Sequence, residues 1–191
     1  MDESESHREH EKPPFFYHAS PNRDIEKLEP RAITVRDEKE GPVLFGTPDK
    51  GLASIFMIGH DDSWTASGQI NGRLYFLFSD RDKLVENDKG GSLYILPAES
   101  FSQNEDPGEH MSEWVSREIV TPIEKTDYES GLLAMEENGV EVFGVDEQTL
   151  RKFQTAEPEE KERMIEQFKV NEVELRRSGR PVEGKVVDEK K

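Results

Sequence analysis

The sequence has no cysteine, few aromatic residues and no long apolar run. The absence of cysteine excludes disulfides and thiolate metal sites. No segment approaches the roughly 20 apolar residues that a membrane-spanning helix needs, so we expect a cytoplasmic protein that does not enter the membrane. Apolar residues make up 32% of the chain and charged residues 35%, which predicts a modest core with part of the sequence outside it.

Basic side chains are also scarce relative to acidic ones. The chain carries 25 Lys and Arg against 42 Asp and Glu, a formal charge of -17. Residues 155–191 hold 10 acidic and 9 basic side chains, which leaves 32 against 16, a charge of -16, for residues 1–154. An acidic body repels phosphate backbones and anionic lipid, so direct nucleic-acid and membrane binding are disfavoured. The charge serves solubility in the simplest interpretation, or mimics nucleic acid on a basic partner surface in the alternative one.

A chain of 191 residues suits one domain with tails. Residues 1–13 are acidic and lack apolar periodicity, which predicts a disordered leader. Residues 14–154 are expected to form the single folded domain. Residues 155–191 are expected to form a charged helix and a flexible tail, because Met164, Ile165 and Phe168 follow Pro158 at helical spacing.

Apolar runs separated by turn residues predict an α+β domain built on one mixed or antiparallel sheet, with short helices and a C-terminal helix. The first strand is predicted at residues 15–18 and a helical turn at residues 24–28. A second strand at 43–46 leads into a helix with Thr47 as N-cap and Pro48 in its first turn. The other predicted strands are 74–78, 93–97, 114–120 and 140–145, and the other short helices are 131–138 and 146–153.

Three short motifs carry most of the functional information. They are YHAS at residues 17–20, VLFGT at 43–47 and SEWVS at 112–116. Each lies in or beside a predicted strand, which is how a fold brings distant side chains into one cleft. A single histidine on a strand is more often a core or edge residue, but the small pair Ala19 and Ser20 after His18 would let a flat ligand approach the backbone.

In their order along the chain, the motifs resemble those of ADP-ribosyltransferases of the poly(ADP-ribose) polymerase and diphtheria-toxin-like type, the His-aromatic-Glu type. Residues 17–20 are similar to the family's His-Gly-Ser segment, with Ala19 in place of glycine. Residues 41–46 and 53–56 are similar to its glycine and aromatic strand followed by small residues and a stacking tyrosine, with Leu44 and Phe56 replacing aromatic residues. Residues 112–115 are similar to the segment around its catalytic glutamate.

The resemblance implies NAD as substrate, with no metal, and a protein as the target. It implies that His18 holds a ribose hydroxyl, that the backbone at Ala19 grips the nicotinamide amide, and that Glu113 is the catalytic carboxylate. Phe56 would stack on nicotinamide, with Phe45 as the alternative ring. Ser20 and Ser54 are candidates for hydrogen bonds to the amide or ribose, and Arg31 and Arg23 for contacts to the phosphates.

The chemistry of the reaction favours these residue types independently of the family. Cleavage of the nicotinamide–ribose bond builds positive charge on the ribose ring, which a carboxylate stabilises. In a desolvated cleft such a charge lowers the activation free energy by roughly 3 kcal/mol or more. Glu118 rivals Glu113 for this role. Strand alternation favours Glu113, because it places Glu113 on the same face as Val115.

Three functions therefore remain open at this point. The first is a mono-ADP-ribosyltransferase acting on a macromolecule. The second is a module that binds NAD or ADP-ribose without cleaving it, given the substitutions at Ala19, Leu44 and Phe56. The third is an acidic interaction protein or inhibitor that occupies a basic partner surface.

Overall fold

The computed structural model describes residues 12–31, 41–103 and 114–177, with side chains through residue 170. These residues form nine strands and five helices. The strands are β1 (Phe15–Ser20), β2 (Leu44–Gly46), β3 (Thr65–Ile70), β4 (Arg73–Phe78), β5 (Gly91–Pro97), β6 (Phe101–Gln103), β7 (Trp114–Ser116), β8 (Glu124–Tyr128) and β9 (Glu141–Gly144). The helices are α1 (Lys50–Ile55), α2 (Arg81–Asn87), α3 (Gly131–Glu137), α4 (Glu147–Thr155) and α5 (Pro158–Arg177).

The α+β class is confirmed, but the strands form three small sheets where the sequence predicted one. Their strand orders are β1-β5-β8, β2-β7-β6 and β3-β4-β9. All neighbouring strands are antiparallel except β4 and β9, which are parallel. The first two sheets meet at one isolated bridge between Tyr17 and Thr47, because β2 is only three residues long and forms its own ladder with β7.

An aromatic core joins the first two sheets. Phe16 of β1 is fully buried, and its ring centroid lies 4.8 Å from that of Phe101 in β6 and 5.0 Å from that of Trp114 in β7. Tyr94 and Leu96 of β5 belong to the same cluster. Burial of this apolar surface between two sheets is the main stabilising contribution at this end of the molecule.

The helices α1 and α3 cover the opposite face of the first sheet. Ala53 and Met57 from the region of α1 pack with Ala134 of α3 on Ala19 and Leu93, which are paired across β1 and β5. Successive residues of a strand point to opposite faces. Side chains next to Ala19 in the sequence, His18 and Ser20, therefore point away from α1.

The third sheet supports the two C-terminal helices, and α5 confirms the predicted C-terminal helix. Met164 and Ile165 of α5 are buried against a cluster that includes Phe143 and Phe153. Arg73 of β4 also forms ion pairs with Glu141 of β9 and Glu166 of α5. Within the described residues, none of the helices combines the length and apolarity needed to cross a bilayer.

Several predicted element boundaries are wrong. Asp49, not Thr47, is the N-cap of α1: its Oδ1 accepts from the backbone N–H groups of Gly51 at 2.8 Å and Leu52 at 3.1 Å. Residues 24–28 form no helix, because the backbone of Leu28 pairs instead with that of Val120 in an isolated bridge. The strand predicted at 114–120 ends at Ser116.

The sequence also left four elements unpredicted. Strands β3, β6 and β8 and helix α2 carry weak local signals. β8, for example, reads EKTDY and its first four residues are exposed, so it lacks the alternating apolar pattern that marks a strand. Its place is set by pairing with β5.

Candidate functional site

His18 lies on β1 with its ring anchored to the neighbouring strand. Its Nδ1 is 3.0 Å from the backbone oxygen of Phe45 in β2. A carbonyl oxygen only accepts hydrogen bonds, so Nδ1 carries the proton and donates. In the neutral ring, Nε2 is then left with a lone pair and can accept a hydrogen bond from a hydroxyl group.

The surroundings keep this ring neutral. Burial lowers the pKa of His18 below its ordinary value of 6.5, the hydrogen bond to Phe45 opposes that shift, and the positive charge of Arg31 adds to the lowering. Near neutral pH, His18 is therefore an uncharged acceptor. The Arg31 guanidinium is therefore close enough to the imidazole for its charge to act on the ring. Arg31 is held there through its backbone, whose N–H donates to the oxygen of Val43 at 3.1 Å.

The three sequence motifs lie on adjacent strands. Tyr17 of the first motif exchanges two backbone hydrogen bonds with Thr47 of the second, at 2.8 and 3.1 Å. Gly46 of the second motif pairs in register with Trp114 of the third. Segments separated by 30 and 68 positions in the sequence are thus neighbours in space. Glu113 precedes Trp114 in the sequence and lies outside the described residues.

The small residues after His18 have local roles in the structure. Ala19 is almost fully buried against α1 and α3. The Ser20 hydroxyl accepts a hydrogen bond from the backbone N–H of Asn22 at 3.2 Å, which starts the turn after β1. Phe45 lies in the short strand β2, is partly buried, and supplies the backbone oxygen that holds His18.

The predicted ligand contacts from α1 are separated from His18. Ser54 is fully buried and its hydroxyl donates to the backbone oxygen of Gly51 at 2.7 Å. Phe56, the C-cap residue of α1, is 56% exposed, and its ring centroid lies 6.2 Å from that of His60. Because α1 covers the face of β1 opposite His18, the structure does not bring these residues together with the imidazole. Their contacts with NAD stay predictions.

Glu118, the rival carboxylate, lies in the segment between β7 and β8. It borders a surface cleft of about 430 Å³ next to the turn between β5 and β6. The cleft is lined by Pro97, Glu99, Ser100, Glu118, Ile119, Val120 and Thr121. The backbone N–H of Glu118 donates to the Ser116 hydroxyl at 3.2 Å.

A second surface cleft, of about 380 Å³, contains His60. It is lined by Gly59, His60, Asp61, Trp64, Lys83, Glu86 and Asn87. His60 donates from Nδ1 to the oxygen of Ile58 at 2.7 Å, and its ring is nearly perpendicular to that of Phe76, with the centroids 5.4 Å apart. Among the residues that the structure describes, no three His, Asp or Glu side chains are grouped so as to hold a metal ion.

Tyr94 is a neighbour of His18 that could be of functional importance, and the sequence analysis did not single it out. It pairs with His18 across β1 and β5, is buried, and hydrogen-bonds through its hydroxyl to the loop after β1. One sequence signal could have singled it out. A tyrosine inside an apolar strand needs a partner for its hydroxyl when it is buried.

Comparisons with known proteins give no relative for this chain. No family model, no curated protein and no solved structure matches it.

Proposed function

We propose that this chain is a mono-ADP-ribosyltransferase that binds NAD beside His18 and moves ADP-ribose to a macromolecular acceptor, with a protein as the expected target. The observation that carries the proposal is the adjacency of the three motif strands β1, β2 and β7, which are far apart in sequence. This is the arrangement expected if residues 17–20, 43–47 and 112–116 form one site.

In this proposal His18 binds the ribose. Its Nε2 accepts a hydrogen bond from a ribose hydroxyl, and the bond from Nδ1 to Phe45 fixes the ring orientation in advance. Arg31 lies close enough to His18 to influence its titration, and it supplies positive charge for the pyrophosphate. This charge is needed locally, because the chain as a whole is strongly acidic.

Glu113 is assigned the catalytic role from its sequence context. The bond between the ribose C1′ and the nicotinamide nitrogen breaks, and nicotinamide leaves neutral with the electron pair. The carboxylate stabilises the positive charge that develops on the ribose ring. A nucleophile of the acceptor then bonds to C1′ and gives up its proton to solvent or a base.

Nicotinamide release from NAD tests this assignment. The parent protein, Glu113→Gln and the matched control Glu118→Gln are incubated with NAD and a broad mixture of acceptor proteins. We expect turnover by the parent and by Glu118→Gln, and a loss of about 100-fold or more in Glu113→Gln, since the carboxylate is assigned roughly 3 kcal/mol. Absence of turnover in the parent, or equal losses in the two variants, contradicts the proposal.

One observation favours a second candidate, a module that binds NAD or ADP-ribose without cleaving it. Ser54 and Phe56, which the resemblance assigns to the nicotinamide end, belong to α1 and its C-cap, and α1 packs on the face of β1 away from His18. A site that lacks the Phe56 ring would retain ribose and phosphate contacts but would orient nicotinamide less well. Calorimetric binding of NAD without nicotinamide release supports this candidate over the enzyme.

A further inference from the structure

A buried hydroxyl binds the loop that follows β1 at two points. The Tyr94 Oη donates to the backbone oxygen of Asn22 at 2.7 Å and accepts from the backbone N–H of Ile25 at 3.3 Å. Tyr94 is 1% exposed, so its ring is fixed by core packing. Both hydrogen-bonding capacities of the hydroxyl are directed at this one loop.

This loop and His18 belong to the same side of the first sheet. Tyr94 and His18 are paired directly across β1 and β5, and paired residues in an antiparallel ladder project from the same face. Ile25 packs against the core cluster that contains Tyr94. The loop therefore passes over the face from which the imidazole projects.

Weaker contacts hold the outer side of the loop. The Lys125 Nζ donates to the backbone oxygen of Arg23 at 2.5 Å, and the Arg23 Nη2 donates to that of Tyr128 at 2.8 Å. Both contacts are exposed to solvent, where side-chain entropy and water reduce their contribution. The two hydrogen bonds of Tyr94, by contrast, are made by a buried side chain. A buried hydroxyl bound to two backbone groups constrains them more strongly than the exposed contacts of Lys125 and Arg23 do.

We infer that Tyr94 is a positioning residue for the nucleotide site: its hydroxyl holds residues 21–25 as a preformed wall beside His18, so that NAD affinity depends on a group that does not touch NAD. This inference rests on the proposed function. Its physical basis is preorganisation, because a loop that is already ordered loses less conformational entropy when a ligand binds.

Tyr94→Phe tests the inference, since it removes the hydroxyl and keeps the ring in the core. Tyr128→Phe is the matched control: it removes a hydroxyl from the same sheet, one that accepts from Asn138 Nδ2 at 3.3 Å and does not contact the loop. Far-ultraviolet circular dichroism and urea unfolding verify that both variants are folded. Hydrogen exchange at the Ile25 amide, NAD affinity by calorimetry and the kinetic constants for NAD are then measured.

In Tyr94→Phe we expect the Ile25 amide to exchange at least 10-fold faster than in the parent. The Kd or KM for NAD should rise about 3- to 10-fold while kcat changes less than twofold. Tyr128→Phe should match the parent in all three measurements. A kcat that falls with KM unchanged would overturn the positioning role.

Two other outcomes separate the inference from the function on which it rests. Unchanged exchange at Ile25, or faster exchange with unchanged NAD affinity, overturns the inference and leaves the proposed function standing. Absence of NAD binding by the parent protein overturns the proposed function and the inference together, whatever the exchange rates are.

Discussion

At the residue scale, His18 is the candidate site residue whose surroundings are described most fully. The hydrogen bond to the Phe45 oxygen selects one tautomer, and burial together with the Arg31 charge keeps the ring neutral. Sequence alone identified the histidine as a candidate. Its protonation state could not be predicted, because the groups that set it come from residues 13 and 27 positions away.

The lowered pKa of His18 makes stability depend on pH. In the unfolded chain this ring binds a proton near pH 6.5, whereas in the folded chain it binds that proton only at a lower pH. The free energy of unfolding should therefore fall as the pH decreases below about 6.5. We predict that the unfolding free energy of the parent, minus that of His18→Asn, is constant above pH 7.5. Below pH 6.5 it should decrease by up to about 1.4 kcal/mol per pH unit.

Urea unfolding of both proteins at pH 5.5, 6.5 and 7.5 measures this difference. Asparagine is the suitable replacement, because its side-chain amide can still donate to the Phe45 oxygen but does not titrate. A difference that is the same at all three pH values, or that grows as the pH falls, would contradict the pKa shift.

At the scale of elements, the contact between the first and second sheets brings the first two sequence motifs together. β2 approaches β1 and β6 closely because Gly46 has no side chain: a Cβ at this position would lie 2.8 Å from Phe101 Cε1 and 3.0 Å from Phe16 Cβ. The strand itself was predictable from its apolar run. The need for glycine was not, because it arises from two phenylalanine side chains that lie on other strands.

Gly46→Ala should destabilise the protein by about 1–3 kcal/mol, since the added methyl group forces the aromatic core apart. Gly59→Ala is the matched control, because the nearest atom to its Cβ, Asn87 Oδ1, is 3.6 Å away. The midpoint of urea unfolding measures both effects. If Gly46→Ala unfolds at the same urea concentration as the parent, the packing described here is incorrect.

The helices show what local sequence could and could not predict. α3 and α4 are found within two residues of their predicted bounds, because each combines a helical apolar stripe with a capping residue, Ser130 and Asp146. The start of α1 was placed at Thr47. Its backbone is instead paired with Tyr17 of β1, which leaves the capping role to Asp49.

Charge is the main property at the scale of the whole molecule. A formal charge of -17 on 191 residues makes the folded state repel itself, and salt screens that repulsion. The ion pairs around Glu141 offset only part of it locally, where Arg73 and Lys169 both contact one carboxylate.

We therefore predict that added salt stabilises the protein. Raising NaCl from 0.01 M to 0.1 M shortens the screening length from about 30 Å to about 10 Å. The melting temperature should rise by about 2–4 °C, which for a chain of this size corresponds to about 1 kcal/mol. Differential scanning calorimetry at pH 7.5 measures the change, and a repeat at pH 5, where part of the acidic charge is lost, should give a smaller one. A decrease with salt would mean that ion pairs outweigh the net repulsion.

The sequence by itself determined the acidic character, the α+β class, the location of the main strands and helices, and the three motifs on which the proposed function is based. These are local properties, because the spacing of apolar residues and the residue types at turns act within a few positions. The tertiary structure decided how the strands divide into three sheets, which face of β1 receives α1, and which groups bind His18 and the loop after it. Those outcomes depend on which distant segments pair with each other, and pairing is decided by the packing of the whole chain.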